Sequence, residues 1–287
     1  MRQLNSVTSG STPTGTVTAR PVGADVARSW LIHSGLEKAT FEHAMGSPAD
    51  QVIIDLEDSV EPDSKRDARQ NALDFFGAGG TAWVRVNDCR SFFWADDLRV
   101  LSHCDGVLGI VLSKTESVSD VRRTRERVQL STPIIPLLES AKGIDRASEI
   151  ARARGVLRLA FGIGDFCRDI FANPDPETLA YPRSRIVIAS AAAGIHRPID
   201  GPSPDGALSA VASNAKRAAE FGFGGMLTTS ATQCESINTS IAPSAAELDW
   251  AREVVERQPS EQAGASYRPL RARALRVIEL AAIFAID

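Results

Sequence analysis

The sequence predicts a single (β/α)8 TIM barrel of the α/β class, extended at its C-terminal end by a further helical segment. Short apolar runs alternate with amphipathic helical patterns, which is typical of parallel βαβ units. Eight such units follow one another without a break that would mark a second domain. The length of 287 residues suits a barrel, which commonly occupies about 250 residues, together with short extensions.

The predicted strands share an apolar run bounded by Gly, Pro or polar residues. In chain order they are 29–33, 51–58, 82–87, 106–112, 133–139, 158–165, 198–201 and 225–229. The predicted helices share an apolar stripe at helical spacing. In chain order they are 36–45, 64–76, 92–101, 118–129, 142–154, 181–193, 206–221, 243–257 and 269–285.

These elements divide the chain into three parts. Residues 1–25 are rich in Ser, Thr, Gly and Pro without the apolar core of a signal peptide, so they are predicted to form a flexible tail. Residues 26–257 form the predicted barrel domain. Residues 258–287 are predicted to be a linker, reaching to about Tyr267, and an amphipathic helix.

The composition excludes several function classes. Hydrophobic residues make up 43% of the chain, charged residues 24%, and the net charge is -4, so neither a nucleic-acid nor a membrane partner is predicted. No run approaches the roughly 18 apolar residues of a membrane span. The four cysteines stand singly without a CxxC motif, which favours a reducing cytoplasm.

Two of the predicted strands end on carboxylates. Glu139 closes the run that begins at Pro133, and Asp165 closes the run that begins at Arg158. Mg²⁺ prefers oxygen ligands and usually takes one or two protein carboxylates, so this pair predicts a magnesium site. The alternative is that both carboxylates only cap the helices that follow them.

A second group of charges follows strands two and three. Asp55, Glu57 and Asp58 end the second strand, and alternation directs Asp55 and Glu57 to the same side of the sheet. Arg85 interrupts the apolar third strand, where an arginine normally needs an anion. Its partner is either one of these two acids or the carboxylate of a substrate, and the two roles can share the residue.

Charged residues thus collect at the ends of several predicted strands. Lys114 follows strand four, so Glu57, Arg85, Lys114, Glu139 and Asp165 all fall at carboxyl ends, where barrels of this type carry their chemistry. His33, at the end of strand one, is interpreted as a hydrogen-bonded structural residue rather than a base.

Six motifs occur together in a recognisable order and spacing. They are Arg28-Ser29-Trp30-Leu31, Asp55-Leu56-Glu57-Asp58-Ser59-Val60, Val84-Arg85-Val86-Asn87, Ser113-Lys114-Thr115-Glu116-Ser117, Leu138-Glu139-Ser140-Ala141 and Phe161-Gly162-Ile163-Gly164-Asp165-Phe166. On these motifs the chain resembles the citrate lyase beta-subunit and malyl-CoA lyase-like family of HpcH/HpaI aldolases. The resemblance extends over about residues 28–257.

The resemblance implies a modified (β/α)8 barrel whose terminal helix reaches a neighbouring subunit in a homotrimer or hexamer. It implies Mg²⁺, with Mn²⁺ as a substitute, on Glu139 and Asp165. It further implies that Arg85 binds a substrate carboxylate, that Glu57 and Lys114 act beside it, and that Gly164 and Asp165 contact the substrate. The reaction implied joins or cleaves a carbon-carbon bond between an acyl-CoA and an α-keto acid such as glyoxylate or oxaloacetate.

The chemistry of such a cleavage matches the residue types. Breaking the bond next to a hydroxyl-bearing carbon leaves an enolate, so the site needs a base, a Lewis acid on the hydroxyl and carboxylate oxygens, and a fixed cation for the carboxylate. The metal and Arg85 supply the last two, whereas the sequence leaves the base unassigned.

Three stretches depart from the family pattern. His33-Ser34-Gly35-Leu36-Glu37-Lys38 replaces a polar or basic first loop, and residues 227–233 replace a common I-H-P motif. Residues 261–267 replace the family's acidic C-terminal hairpin with a shorter stretch that contains no aspartate. The first and third of these departures predict weak or absent binding of CoA thioesters. They also leave open an alternative function, that of a catalytically weakened metal- and ketoacid-binding accessory or regulatory protein.

Overall fold

The computed structural model describes residues 22–257 and 264–286 and confirms the predicted barrel. Eight parallel strands close in chain order into one barrel, with β1 paired to both β2 and β8. The strands are β1 Ser29–Ser34, β2 Gln51–Asp55, β3 Ala82–Val86, β4 Val107–Leu112, β5 Ile134–Leu138, β6 Ala160–Phe161, β7 Ile199–Asp200 and β8 Gly225–Thr228. The carboxyl ends of all eight strands therefore meet at one mouth.

Helices surround this barrel. They are α1 Phe41–Met45, α2 Lys65–Gly77, α3 Phe93–Leu101, α4 Val118–Arg125, α5 Ala141–Asp145, α6 Ala147–Ala151, α7 Ile163–Asp169, α8 Pro176–Ala193, α9 Leu208–Phe221, α10 Cys234–Ile241, α11 Ala245–Glu256 and α12 Gly264–Ile283. Short 3-10 turns precede α1, α2 and α10. Within the described ranges, none of the helices is both long and apolar enough to cross a membrane.

Several predicted boundaries were wrong. The expected helix 142–154 is broken at Arg146 into α5 and α6, and the expected helix 118–129 ends at Arg125. The apolar run from Arg158 to Asp165 contributes a strand of only two residues, because the chain turns into α7 at Ile163. Neither α7 nor α10 was predicted, since both are short and lack a long periodic pattern.

The predictions for the N-terminal tail and the C-terminal linker can be compared with the structure only where the structure describes these residues. The predicted tail lies mostly outside the described residues, although Val22 and Ala24 pack against the interior of the barrel. The predicted linker is partly wrong, because α12 already begins at Gly264 and contains Pro269 within it. Residues 258–263 of that linker lie outside the described residues.

The strand side chains form two layers, one pointing into the barrel and one pointing outward toward the helices. One layer fills the barrel with at least one residue from every strand: Trp30, Ile53, Trp83, Val111, Ile135, Leu137, Ala160, Ile199 and Leu227. Trp30 and Trp83 contact edge to face in this interior, with ring centroids 5.2 Å apart. Gly109 makes room for them, because a Cβ there would lie 2.2 Å from the Trp83 ring. The interior is therefore solid below the mouth.

Alternation along each strand then decides which charges enter the mouth. Ile53, Trp83 and Leu137 point inward, so Asp55, Arg85 and Glu139, two positions further on, also point inward. The inner layer is apolar up to this level and charged above it. The fold thus places three buried charged side chains directly above the apolar interior of the barrel.

The opposite face of the barrel is closed. Arg158 is fully buried there and donates hydrogen bonds to the carbonyl oxygens of Ala27 at 2.8 Å and Arg197 at 2.6 Å. The end of α12 covers the same face, where the ring of Phe284 lies 4.0 Å from the guanidinium carbon of Arg28. Within this chain α12 therefore ends on the face opposite the mouth.

Candidate active site

A cavity of about 430 Å³ opens at the mouth of the barrel. Its lining is almost wholly charged or polar and consists of Asp58, Arg90, Lys114, Glu116, Glu139, Ser140, Asp165, Arg168 and Asp169. These residues lie in the segments that follow the carboxyl ends of β2 to β6, where barrels of this type carry their chemistry. The cavity gathers three of the predicted site residues, Lys114, Glu139 and Asp165.

Glu139 follows the last residue of β5 and is buried. Its Oε1 accepts a hydrogen bond from the backbone N–H of Lys114 at 2.6 Å. Gly162 leaves the space for this carboxylate, because a Cβ at that position would lie 2.6 Å from Oε2. Burial raises the pKa of Glu139 to about 8, and the negative charges of Glu57 and Asp165 act in the same direction.

Asp165 does not end a strand, which corrects the sequence prediction. It lies in the first turn of α7, and its carboxylate contacts the guanidinium of Arg168, one helical turn later. Its other oxygen, Oδ2, lies 3.7 Å from Nζ of Lys114. Gly164 borders open space, since a Cβ there would meet no heavy atom within 4 Å.

Arg85 and Asp55 form a buried ion pair at the top of β3 and β2. The Nε and Nη2 atoms of Arg85 donate to the two oxygens of Asp55, each at 2.6 Å. The third nitrogen, Nη1, lies 3.4 Å from Oε2 of Glu57. Although burial acts to raise the pKa of Asp55, the adjacent guanidinium outweighs it and lowers that pKa. One side of the arginine fork is therefore already occupied by this chain's own carboxylate.

Glu57 and Lys114 contact each other beside that pair. Nζ of Lys114 donates to Oε1 of Glu57 and, at 3.1 Å, to Oδ1 of Asp58. Burial raises the pKa of Glu57 despite the nearby charge of Arg85. Burial acts to lower the pKa of Lys114, but the hydrogen bond and charge of Glu57 outweigh it and raise that pKa. Lys114 is therefore a fixed cation beside Glu57.

The backbone of Lys114 takes an unusual conformation. Its φ of 47° lies in the left-handed region, which is uncommon for a residue other than Gly. Its carbonyl oxygen accepts a hydrogen bond from Nη2 of Arg90 at 2.8 Å, and Arg90 also pairs with Glu116 at 2.6 Å. Held in this way, the residue directs its N–H to Glu139 and its ammonium group to Glu57.

Sequence reasoning missed Lys65, Arg90 and Arg168, which looked like ordinary surface cations. Of the three, only Lys65 has an unusual position in the sequence, because a lysine in the first turn of a helix opposes the helix dipole. His33 packs against Phe41 with ring centroids 5.6 Å apart, and its Nε2 lies 3.0 Å from the hydroxyl of Thr40. Its ring is therefore held by structural contacts outside the barrel interior.

The donor set fits a hard divalent cation held by few protein ligands. In the part of the chain that the structure describes, no three or more His, Cys, Asp or Glu side chains form a metal-binding group. Glu139 and Asp165 are nevertheless two oxygen donors at one polar cavity, whose lining has five carboxylates and three cations. Water and substrate would complete the coordination shell of Mg²⁺ on such a pair.

Fold and site together define a TIM-barrel enzyme with a cluster of carboxylates and cations at the mouth. The family model for HpcH/HpaI aldolase/citrate lyase matches residues 28–231, and the chain belongs to that family. It is accordingly a carbon-carbon lyase of the citrate lyase beta-like type.

Individual relatives agree with this assignment. The chain is 30% identical to citrate lyase subunit beta of Escherichia coli, over 80% of this chain and 81% of the relative. It is 29% identical to L-malyl-CoA/beta-methylmalyl-CoA lyase of Rhodobacter capsulatus, over 87% and 90%. It is also similar to the crystal structure of CitE from Mycobacterium tuberculosis in complex with magnesium, acetoacetate and coenzyme A. That structure has a TM-score of 0.76 at 24% identity and covers 90% of this chain and 99% of its own, which supports the fold.

The Arg85–Asp55 pair generates a prediction about stability. Asp55→Ala leaves a buried guanidinium without its partner, so it should lower the free energy of unfolding by about 3–5 kcal/mol. Asp58→Ala removes a half-exposed carboxylate and should cost less than about 1 kcal/mol. Urea denaturation of the three proteins measures both effects, and equal losses in the two variants would contradict the central role of the pair.

Proposed function

We propose that this protein is a magnesium-dependent lyase that cleaves or forms a carbon-carbon bond of a hydroxy acid, with an α-keto acid such as oxaloacetate or glyoxylate as product or substrate. The observation that carries the proposal is the position of Lys114. Its N–H contacts Glu139 and its ammonium group approaches Asp165, so both carboxylates border the same space. The magnesium in the structure of the Mycobacterium tuberculosis relative supports the choice of metal.

The metal would be held by Glu139 and Asp165. Bound there, it would supply Lewis acidity toward the hydroxyl and carboxylate oxygens of the substrate. Asp165 would exchange its contact with Arg168 for the metal, and this exchange costs little because the Arg168 side chain is 73% exposed. Glu139 keeps its hydrogen bond from Lys114 on Oε1, which leaves Oε2 as a donor.

Arg85 would hold the carboxylate of the substrate. Because Asp55 takes the N–H of Nε and one N–H of Nη2, the donors left for a substrate are the second N–H of Nη2 and those of Nη1, which faces Glu57 at the mouth. The ion pair with Asp55 fixes the guanidinium, so it can bind without first being ordered. Arg85 thus combines the two roles that the sequence left open.

Glu57 is the group best placed to take the proton of the substrate hydroxyl. Its carboxylate contacts two cations of the mouth, Lys114 and Arg85. Its pKa is raised in the direction of neutral pH, which suits a general base. Lys114 would stabilise negative charge that develops on the substrate, because its own pKa is raised and it stays protonated.

Asp165→Asn should weaken Mg²⁺ binding by more than about tenfold, because it replaces an anionic oxygen ligand with a neutral amide. The fold should survive, since Asp165 is partly exposed and lies in a short helix. Isothermal calorimetry with Mg²⁺ measures the change. Asp145→Asn, an exposed position on α5, is the control, and equal Mg²⁺ affinity in the Asp165 variant and the parent would refute the metal site.

Arg85→Lys should lower the affinity for oxaloacetate or glyoxylate by about tenfold, because an ammonium group cannot pair with Asp55 through two bonds and still reach a substrate. The matched control is Arg183→Lys, which alters a buried ion pair with Asp200, 2.9 Å long, on the outer side of the barrel. Ketoacid titration of the Mg²⁺-loaded proteins measures the affinities. Unchanged binding in the Arg85 variant would reduce this residue to a structural role.

The first loop bears on whether the substrate is a CoA thioester. CoA carries several phosphate charges, and each charge-assisted hydrogen bond to them contributes about 1.5–3 kcal/mol. Lys38 pairs with Asp74 on α2 at 2.5 Å, and Arg28 pairs with Asp50 on the closed face of the barrel. Arg28 is therefore directed away from the mouth, and Lys38 is the one Lys or Arg residue in the loop 33–38.

We therefore expect acetyl-CoA to bind the Mg²⁺-loaded protein weakly, and a free hydroxy acid or another acyl carrier to be the substrate. Titration of acetyl-CoA followed by calorimetry tests this expectation, with the ketoacid titration as the positive control. A micromolar dissociation constant would show that the chain uses CoA thioesters, as the names of its relatives indicate for them.

A further inference from the structure

Lys65 is a buried lysine on the outer side of the active-site mouth. It is the first residue of α2, its exposed fraction is 6%, and its ammonium group lies 5.6 Å from the centre of the Phe93 ring. Lysine is rarely buried to this extent, because removing an ammonium group from water is costly. Burial accordingly lowers the pKa of Lys65.

Three acceptors surround the three protons of this ammonium group. Nζ donates to the carbonyl oxygens of Leu56 at 2.8 Å and Glu57 at 2.7 Å, and to Oδ1 of Asn87 at 2.9 Å. The hydrogen-bonding capacity of the group is thereby fully used. Its direct partners are two consecutive carbonyls and one amide, so the lysine binds the backbone of the segment that carries Glu57 rather than a carboxylate.

Asn87 extends this contact. Its Nδ2 donates to the carbonyl oxygen of Leu56 at 2.9 Å and to Oδ2 of Asp97 at 2.6 Å. Asp97 is fully buried and pairs with Arg69 at 3.0 Å. The amide of Asn87 is therefore oriented from two sides, with its oxygen toward Lys65.

The same segment is held from inside the barrel by Asp55. We name Leu56–Ser59 the β2 exit segment. The carboxylate of Asp55 accepts hydrogen bonds from the backbone N–H groups of Glu57 at 2.9 Å and Ser59 at 3.0 Å. Two N–H groups of the segment are thus bound on the inner side, and two of its carbonyls are bound on the outer side. The Glu57 side chain extends from the segment toward Lys114 and Arg85.

We propose that Lys65 is a positioning residue of the active site, which holds the β2 exit segment in the conformation that presents Glu57 to the substrate. This inference rests on the proposed function, because it assigns Lys65 to the ketoacid half of the site. Lys65 does not touch Glu139 or Asp165 and acts on the backbone of the other half. Its loss should therefore separate ketoacid binding from metal binding.

The test compares Lys65→Met with the parent. Methionine keeps the length and apolar stem of lysine but removes one hydrogen-bond donor from each of the two carbonyls. The Leu56 carbonyl keeps the amide of Asn87, and the Glu57 carbonyl keeps the N–H of Val60. Ketoacid affinity, measured with oxaloacetate at saturating Mg²⁺, should fall by about tenfold or more, as displacements of about 1 Å in a positioned group can cause. Mg²⁺ affinity without ketoacid should stay within about threefold of the parent, since Glu139 and Asp165 are separate from the segment. Lys216→Met, an exposed position on α9, is the matched control.

A double-mutant cycle shows whether Lys65 acts through Glu57. Glu57→Gln and Lys65→Met should not be additive in ketoacid affinity, because the two residues belong to one hydrogen-bonded network. If Lys65→Met does not fold, Asn87→Ala carries the same test, since it removes one acceptor of the lysine and one donor to Leu56.

The outcomes separate the two proposals. Unchanged ketoacid affinity in a folded variant, whatever its melting temperature, would show that Lys65 is only structural and would overturn the inference. Equal losses of ketoacid and Mg²⁺ affinity would also overturn it, because they would mean a general collapse of the mouth. A parent protein that binds neither Mg²⁺ nor ketoacid would instead refute the proposed function, and the inference with it.

Discussion

The ion pair between Arg85 and Asp55 is the interaction on which the mouth of the barrel depends. Both groups are buried, and neither could remain charged at the top of an apolar core without the other. Asp55 also binds the N–H groups of the segment that follows it, and Arg85 reaches Glu57. One carboxylate thus fixes a cation, a backbone turn and the position of a second acid.

The mouth consists of two halves with different charge balance. In the half formed by the ends of β2 to β4, Arg85 and Lys114 face three carboxylates, those of Asp55, Glu57 and Asp58. In the half formed by β5 and α7, the buried Glu139 accepts only a backbone N–H from Lys114, and its pKa is raised. A divalent cation held by Glu139 and Asp165 would offset negative charge in this second half, as Arg85 and Lys114 already do in the first.

The barrel interior confines the chemistry to this end of the molecule. Trp30 and Trp83 fill the space below the charged layer, and Arg158 closes the opposite face through bonds to carbonyl oxygens. Substrate must therefore enter and leave by the mouth. The end of α12 lies on the closed face, so in a single chain the mouth has no cover from the C-terminal helix.

The sequence by itself determined the fold class and the position of Arg85 and Glu139 at the carboxyl ends of strands, because strand alternation and helical periodicity are local properties of the chain. It did not determine that Asp165 comes from a helix, since the two-residue strand β6 leaves no periodic signal. Only the tertiary structure decided that Arg85 pairs with Asp55 and that the ammonium group of Lys65 is buried against two backbone carbonyls. Pairing between charges depends on which side chains come within hydrogen-bond distance when the barrel closes. A local sequence pattern does not contain this information.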